Sequence, residues 1–382
     1  MYDIIIIGGG PGGLSTAYHA ASEGLNVLVL EEHENIGEPV HCGECLSKTA
    51  LQRMNLNPPQ SVFSRKVSGV KVISGEYASK FKEDGFVLDK NKFEQWLADN
   101  AASRGAEIKT SSRVESVAKD SNWIVKTKNA DYNSKVIVDA TGVASIFSKK
   151  LLNQSFKTIV GLQYLLENIE KEDDFLDFYL DPLLAPHGYL WIIPKGGGRA
   201  NVGLTTNDNS KAKIYLDSFL NKMGLDRKPK LRTFGGLIPI SGPQKTFSNS
   251  FLAVGDAAGF TSPLFEGGTH LSLKSGQLAA KAIKTAVVSN DFSEKTLSAY
   301  ETDWKAEFPD YSRILKGKEK LYSFSESDLK SFMSIMPKTI TGTLSEKLFV
   351  GLKLVMKPSL IRNGALEIFK AFSYSKSEYY GW

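Results

Sequence analysis

Cysteine is nearly absent: Cys42 and Cys45 are the only two in 382 residues. Two thiols exclude a disulfide framework, a four-ligand zinc site and a cysteine-held iron–sulfur cluster, and no metal site is expected. Also missing is any apolar run near the ~18 to 20 residues that cross a bilayer. The apolar stretch at Ile4–Ile7 is too short and too rich in following glycine for a secretory signal. Residence in the cytoplasm is therefore expected, at most peripheral on the inner face of the cell membrane. No block of clustered Lys and Arg lies behind the net charge of +5, which argues against nucleic acid as a partner and leaves room for a mild attraction to anionic lipid. Internal repeats and low-complexity segments are lacking as well. With 42% hydrophobic and 23% charged residues, the chain has the composition of a soluble globular protein of two or three structural units.

The most informative stretch is the first thirty-one residues. Ile4–Ile7 runs into GGGPGG, where Gly8, Gly10 and Gly13 keep the G-x-G-x-x-G spacing. The first glycine permits a tight turn, the second lets a phosphate approach the backbone, and the third lets helix pack closely on strand. Leu14 to Gly24 is read as that helix, and Val27–Leu30 as a second strand ending on Glu31, placed to accept from a ribose hydroxyl. Together these predict a dinucleotide-binding βαβ unit. The loop 33–47 follows, with GEPVHCGECLS dense in Gly, Pro and Cys, and its position suggests that it lies over the cofactor.

Val67–Ser74 alternates as a strand, Lys92 to Arg104 carries a helical stripe, and short strands to Val138 imply a return to the parallel sheet through a small meander. The last of them meets Asp-Ala-Thr-Gly at 139–142. Residues 151–237 alternate in segments read as antiparallel strands, with Gly196–Gly198 as a hairpin turn rather than a second phosphate loop. Phe251–Val254 then enters GDAAGFTSPLFEGGTH before a helix from near Gly267 to about Val288. Asp256 can take hydroxyl protons from a polyol, and the Gly267-Gly268 helix start offers free N–H groups and a positive dipole end. The rest is helical. The stripes Leu297, Tyr300, Trp304, Phe308; Leu344, Leu348, Leu352, Val355; and Ile361, Ala365, Ile368, Phe372 are read as core, with membrane contact as the alternative.

Three separated signals, GGGPGG with Glu31, DATG at Asp139, and Gly255-Asp256, resemble in their order the FAD-binding fold of the para-hydroxybenzoate hydroxylase superfamily. Within it, GEPVHCGECLS, GYLWIIPKG and GDAAGFTSPLFEGGTH are similar to the geranylgeranyl reductase family of the archaeal-lipid type, which saturates prenyl chains. The resemblance spans residue 1 to about 305. It implies an α/β fold: a Rossmann-like FAD-binding domain from residues 1–150 and 240–290, an antiparallel β-sheet substrate domain at 151–239, and a C-terminal helical region at 291–382. FAD would be held by Gly8, Gly10, Pro11, Gly12, Gly13, Glu31 and Glu32 at its ADP half. Asp256 would take the ribityl and pyrophosphate part. Gly267 and Gly268 would face the flavin ring, with Cys42, Gly43, Val114 and Gly142 completing the contacts. Cys42, Tyr189 and Trp191 are the implied catalytic residues, Tyr189, Trp191 and Pro194 standing where the family has its tyrosine, tryptophan and proline. Two positions depart from the family pattern: Cys45, usually glycine, which opens a Cys42–Cys45 disulfide or a second thiol, and Lys90, where arginine is common.

The implied partners are a prenyl-lipid substrate and an external electron donor, with NADPH, ferredoxin and deazaflavin all open, together with peripheral membrane contact. Cys42, Tyr189 or an ordered water would supply the proton that accompanies hydride addition. The rival expectations are an aromatic monooxygenase on the same FAD fold and an electron-transfer flavoprotein, which would normally need the iron–sulfur site that two cysteines cannot build.

Overall fold

Four consecutive isoleucines are stiff, β-branched and apolar towards both faces, which suits the middle of a parallel sheet covered on both sides. In the computed structural model, which describes residues 1–341, 343–375 and 377–382, the strand Tyr2–Ile7 takes that place. It pairs in parallel with Val27–Leu30 and with Asp131–Asp139. Phe251–Ala253 and Phe247–Ser248 extend the sheet on one side and Glu107–Lys109 on the other, and the antiparallel pair Val114–Lys119 and Trp123–Thr127 makes the eight-stranded sheet complete among the described residues. The helix Pro11–Ser22 leaves the glycine turn and packs on the long helix Thr269–Ser289. The two lie so close that a Cβ on Gly276 would stand 2.4 Å from the Gly12 carbonyl oxygen.

A second, nine-stranded sheet holds Lys230–Pro239, Thr158–Glu167, Arg199–Thr206, Leu190–Lys195, Phe175–Tyr179, Phe63–Ser74, Tyr77–Leu88 and Thr339–Ile340 in that order, with Cys45–Ser47 paired to Tyr77–Leu88. The strands within residues 151–239 pair antiparallel with one another, as expected. The larger sheet they join is mixed, because Phe175–Tyr179 runs parallel to Phe63–Ser74 and Thr339–Ile340 runs parallel to Tyr77–Leu88. Period-two alternation marks a half-buried strand without fixing the direction of its neighbour, so nothing local in the sequence encodes that pairing. Gly196–Gly198 does turn a hairpin, with Lys195 opposite Arg199. The helix Ala212–Lys222, absent from the sequence expectation, covers one face of this sheet with Leu216, Phe219 and Leu220.

The chain then packs as helices. Leu297, Tyr300, Trp304 and Phe308 are buried as expected, and Ala365 and Ile368 are buried in a helix that meets Tyr311–Ser323. The middle stripe departs from its core assignment: Leu344, Leu348, Leu352 and Val355 are exposed, while their helix buries Val350 and Leu354 from its other side. No helix among the described residues is long and apolar enough to cross a membrane.

Candidate active site

The glycine turn is built by two kinds of crowding. Gly8 has φ +111, where side chains rarely go, and a Cβ there would meet the Ala140 carbonyl oxygen at 2.3 Å. A Cβ on Gly13 would meet the Gly8 carbonyl oxygen at 2.1 Å, so this position is set by helix-on-strand packing. At Gly10 a Cβ would find nothing within 4 Å, because this edge of the turn faces a cavity. Glu31, at the end of the next strand, is nearly buried and accepts from the Gly9 N–H at 2.7 Å and from the His33 N–H at 2.9 Å. Its carboxylate thus braces its own turn while still lining the cavity. Glu32 lies 3.6 Å from Arg113, beside Val114. Asp139 is wholly buried and accepts from Thr141 Oγ1 and Ser148 Oγ, each at 2.6 Å, so it shapes the turn that presents Gly142.

The second glycine stretch closes the cavity from the other sheet edge. Asp256 lies close to the start of Thr269–Ser289, its Oδ1 being 3.1 Å from where a Cβ on Gly268 would stand. Burial lifts its carboxyl from 3.8 to about 6, against the pull of the nearby Lys90 ammonium. A Cβ on Gly267 would collide at 1.8 Å with the carbonyl oxygen of Trp382, which brings the far end of the chain to the cavity wall. Nothing local in the sequence marks that contact.

Cys42 and Cys45 are both free thiols. Cys42 Sγ accepts from the Glu44 N–H at 3.2 Å and lies 3.9 Å from Thr269 Oγ1, at the first turn of the long helix. Its carbonyl accepts from Gln163 Nε2 at 2.8 Å, and Gln163 Oε1 in turn accepts from Trp191 Nε1 at 3.1 Å. A single amide therefore ties the thiol loop to the tryptophan of the wall. Tyr189 donates its hydroxyl proton to the Phe265 carbonyl at 2.7 Å, and its ring meets Phe178, Trp191 and Phe265 at centroid distances of 5.1, 5.5 and 5.2 Å. Burial pushes the Tyr189 and Cys45 acids well above their ordinary range, with neighbouring acids and thiols adding to it.

Beneath the loop lies a buried ionic cluster. Glu44 Oε2 accepts from Lys195 Nζ and from Asn201 Nδ2, each at 2.7 Å, and its Oε1 accepts from the Lys90 N–H at 3.2 Å. The Lys90 ammonium pairs with Glu94.

The glycine turn, Glu31, Asp256, the thiol loop, Tyr189 and Trp191 meet at one cavity of about 680 Å³, well within the range of cofactor pockets. Of the expected site residues, Gly8, Gly10, Pro11, Gly12, Glu31, Glu32, Cys42, Gly43, Val114, Gly142, Tyr189, Trp191, Asp256, Gly267 and Gly268 line it. Gly13 is beneath the lining. Lys90, noted as a departure from the family pattern, lines it too, and Glu44, Gln163, Phe178, Thr269 and Trp382 line it unforeseen. Open space at Gly10 and Gly142, the Asp256 carboxyl and the helix start beside it fit an extended dinucleotide.

Residues 158–237 match the geranylgeranyl reductase catalytic domain, and residues 5–150 match a pyridine nucleotide-disulphide oxidoreductase domain. The digeranylgeranylglycerophospholipid reductase of Thermoplasma volcanium is 33% identical over 90% of this chain and 93% of its own length. That of Methanocaldococcus jannaschii is 32% identical over 95% and 97%. A solved structure from Thermoplasma acidophilum, described as geranylgeranyl bacteriochlorophyll reductase-like, superposes with a TM-score of 0.86 at 30% identity, covering 96% of this chain and 99% of that one. The halogenase PltM, solved with phloroglucinol and FAD, superposes at 0.70 with 17% identity over 100% of this chain and 87% of its own, a likeness of fold alone.

Proposed function

The chain belongs to the digeranylgeranylglycerophospholipid reductase family, and on that premise we propose that it is an FAD-dependent reductase that saturates the double bonds of geranylgeranyl chains on membrane lipids. The observation that carries this reading is the single cavity in which the nucleotide turn, the thiol loop and the aromatic wall meet. An unactivated alkene needs hydride at one carbon and a proton at the other. When bound, reduced FAD supplies the hydride, and an external donor of the NADPH, ferredoxin or deazaflavin class restores its electrons.

The chain's own residues divide the remaining work. Gly8, Gly10, Pro11, Gly12, Glu31 and Glu32 would hold the ADP half, with Gly13 keeping the turn closed, and Asp256 would take the ribityl chain. Gly267 and Gly268 would meet the ring, alongside Cys42, Gly43, Val114 and Gly142. The helix that opens at Gly268 offers its positive end at the cavity and would stabilise negative charge on a ring held by Gly267 and Gly268. Cys42 is the proton source we favour. The Tyr189 proton is already given to the Phe265 carbonyl, and its raised pKa makes it a poor acid. Tyr189 and Trp191 instead form, with Phe178 and Phe265, the apolar wall that excludes water and receives the chain. Each methylene buried there contributes about 0.8 kcal/mol of binding.

To test this, the flavin of the purified protein is reduced by dithionite without oxygen, and a geranylgeranyl lipid is added. Flavin reoxidation together with a gain of two hydrogens per saturated bond is expected. An unaltered lipid, with hydroxylation of a phenol on admitting oxygen, would replace this reading by the monooxygenase.

A further inference from the structure

The helix Leu344–Val355 turns the wrong face outwards for a soluble protein. Leu344, Leu348, Leu352, Val355 and Met356 are between 61% and 82% exposed, and Phe349 is about half exposed beside them. At ~100° per residue they share one arc of roughly 140°. The helix is held from its opposite side by Val350 and Leu354, so the outward arc has no partner among the described residues. Cations frame it. Lys353 Nζ lies 4.2 Å from the Phe349 ring, and Lys338, Arg362 and Lys370 are exposed nearby in sequence. Residues 338–373 hold six Lys and Arg against Glu346 and Glu367 alone, a net +4 in a chain whose total is +5. Glu346 is turned back to the helix start, where it accepts from the Thr341 N–H at 2.8 Å.

Resting on the lipid-reductase reading above, we propose that this arc is a docking surface for an anionic lipid bilayer. A contiguous exposed apolar face rimmed by lysine is the pattern of a helix lying in a membrane interface, where apolar burial and attraction to acidic head groups add. A second copy of the chain fits less well, since pairing these faces would bring two cationic rims together. The same part of the chain also reaches the cavity wall. The chain passes through Pro358–Arg362 into Ala365–Tyr374, whose Phe372 stacks on Phe81 at 5.5 Å and meets Phe265 edge-on at 6.1 Å. Phe265 lines the cavity, so a prenyl chain drawn from the bilayer along this face arrives at the aromatic wall.

The test is flotation of the purified flavoprotein with vesicles of phosphatidylcholine, with and without phosphatidylglycerol. The wild type should float with the anionic vesicles, less with the neutral ones, and less again as salt is raised. The double variant Leu348→Asp, Leu352→Asp should lose at least roughly tenfold in bound fraction. It should keep its flavin spectrum and its rate on a short prenyl alcohol in solution, and be slowed only on vesicle-embedded substrate. Equal flotation of wild type and double variant, or no preference for anionic vesicles, overturns the proposal. So does a wild-type dimer that the double variant dissolves without any vesicle binding, which would assign the face to a second copy. Should the wild type float as expected yet leave every prenyl substrate unchanged, the docking surface stands and the reductase reading falls.

Discussion

The ammonium of Lys195 lies 2.7 Å from Glu44 Oε2, with both side chains almost wholly buried. This pair joins the loop between the two cysteines to the strand Leu190–Lys195 that carries Trp191, and Asn201 adds a second donor to the same oxygen. Glu44 also directs its own N–H at Cys42 Sγ, so it positions the thiol. Glu44→Ala would leave the buried ammonium only the Leu88 carbonyl at 3.1 Å and the Asp89 carboxylate at 3.6 Å, and is expected to cost about 3 kcal/mol, the low end for a broken buried pair. The paired change Glu44→Leu, Lys195→Met should recover much of that stability but not the rate. The two readouts are thermal unfolding and turnover. A double variant with wild-type turnover and an unchanged pH profile of thiol alkylation would mean that the clamp does not position Cys42.

Two glycines of the turn, Gly10 and Gly13, should fail in different ways. Gly10→Ala adds a methyl into open space, so the apoprotein should unfold within a few tenths of a kcal/mol of wild type while flavin retention drops sharply. Gly13→Ala drives a methyl into the Gly8 carbonyl and should destabilise the apoprotein itself, by about 1 to 3 kcal/mol. Denaturation of flavin-stripped protein beside absorbance of protein as purified separates the two cases. Full flavin retention in Gly10→Ala would remove that edge of the turn from the binding site.

The thiols should separate just as cleanly. Cys42→Ser keeps the 3.2 Å contact with the Glu44 N–H but replaces the acid, so flavin should stay bound while turnover falls by about 10²-fold, the low end for loss of a proton donor. Cys45 Sγ donates only to the Gly43 carbonyl at 3.5 Å, and Cys45→Gly should be tolerated. A Cys42→Ser enzyme as fast as wild type would make the thiol structural, and Tyr189→Phe would become the decisive variant.

The glycine turn was legible because few backbones satisfy strand, tight turn and helix in so few residues, and each glycine has a local reason. The aromatic strand Leu190–Lys195 was legible by its motif. Other features depend on partners far apart in sequence. Glu44 sits inside the noticed cysteine loop, but Lys195, which explains it, is 151 residues away. Gln163 lies in an ordinary alternating strand and becomes a link only when that strand is laid between Cys42 and Trp191. The Leu344 stripe was seen and its side misjudged: periodicity defines a face, whereas the elements packed against the helix decide whether that face is covered.

The acid limb of stability should belong in part to His270. This side chain, in the first turn of Thr269–Ser289, is buried with neither ring nitrogen hydrogen-bonded. Burial, with the Lys274 and Arg53 charges adding to it, lowers its pKa from 6.5 to about 3. The folded protein therefore keeps His270 neutral where the unfolded chain takes up a proton, so its contribution is intact above about 6.5 and is lost as pH falls from there towards about 3. The slope for one such group is at most about 1.4 kcal/mol per pH unit. Asp256 works in the opposite sense, since its raised pKa makes stability fall as pH rises from 3.8 to about 6. A wild-type profile alone would mix the two. His270→Leu removes only the first, and the difference between variant and wild-type unfolding free energies should grow in the variant's favour as pH is lowered below about 6.5. A difference that stays constant across that range would show that His270 takes up its proton in the folded protein as readily as in the unfolded chain.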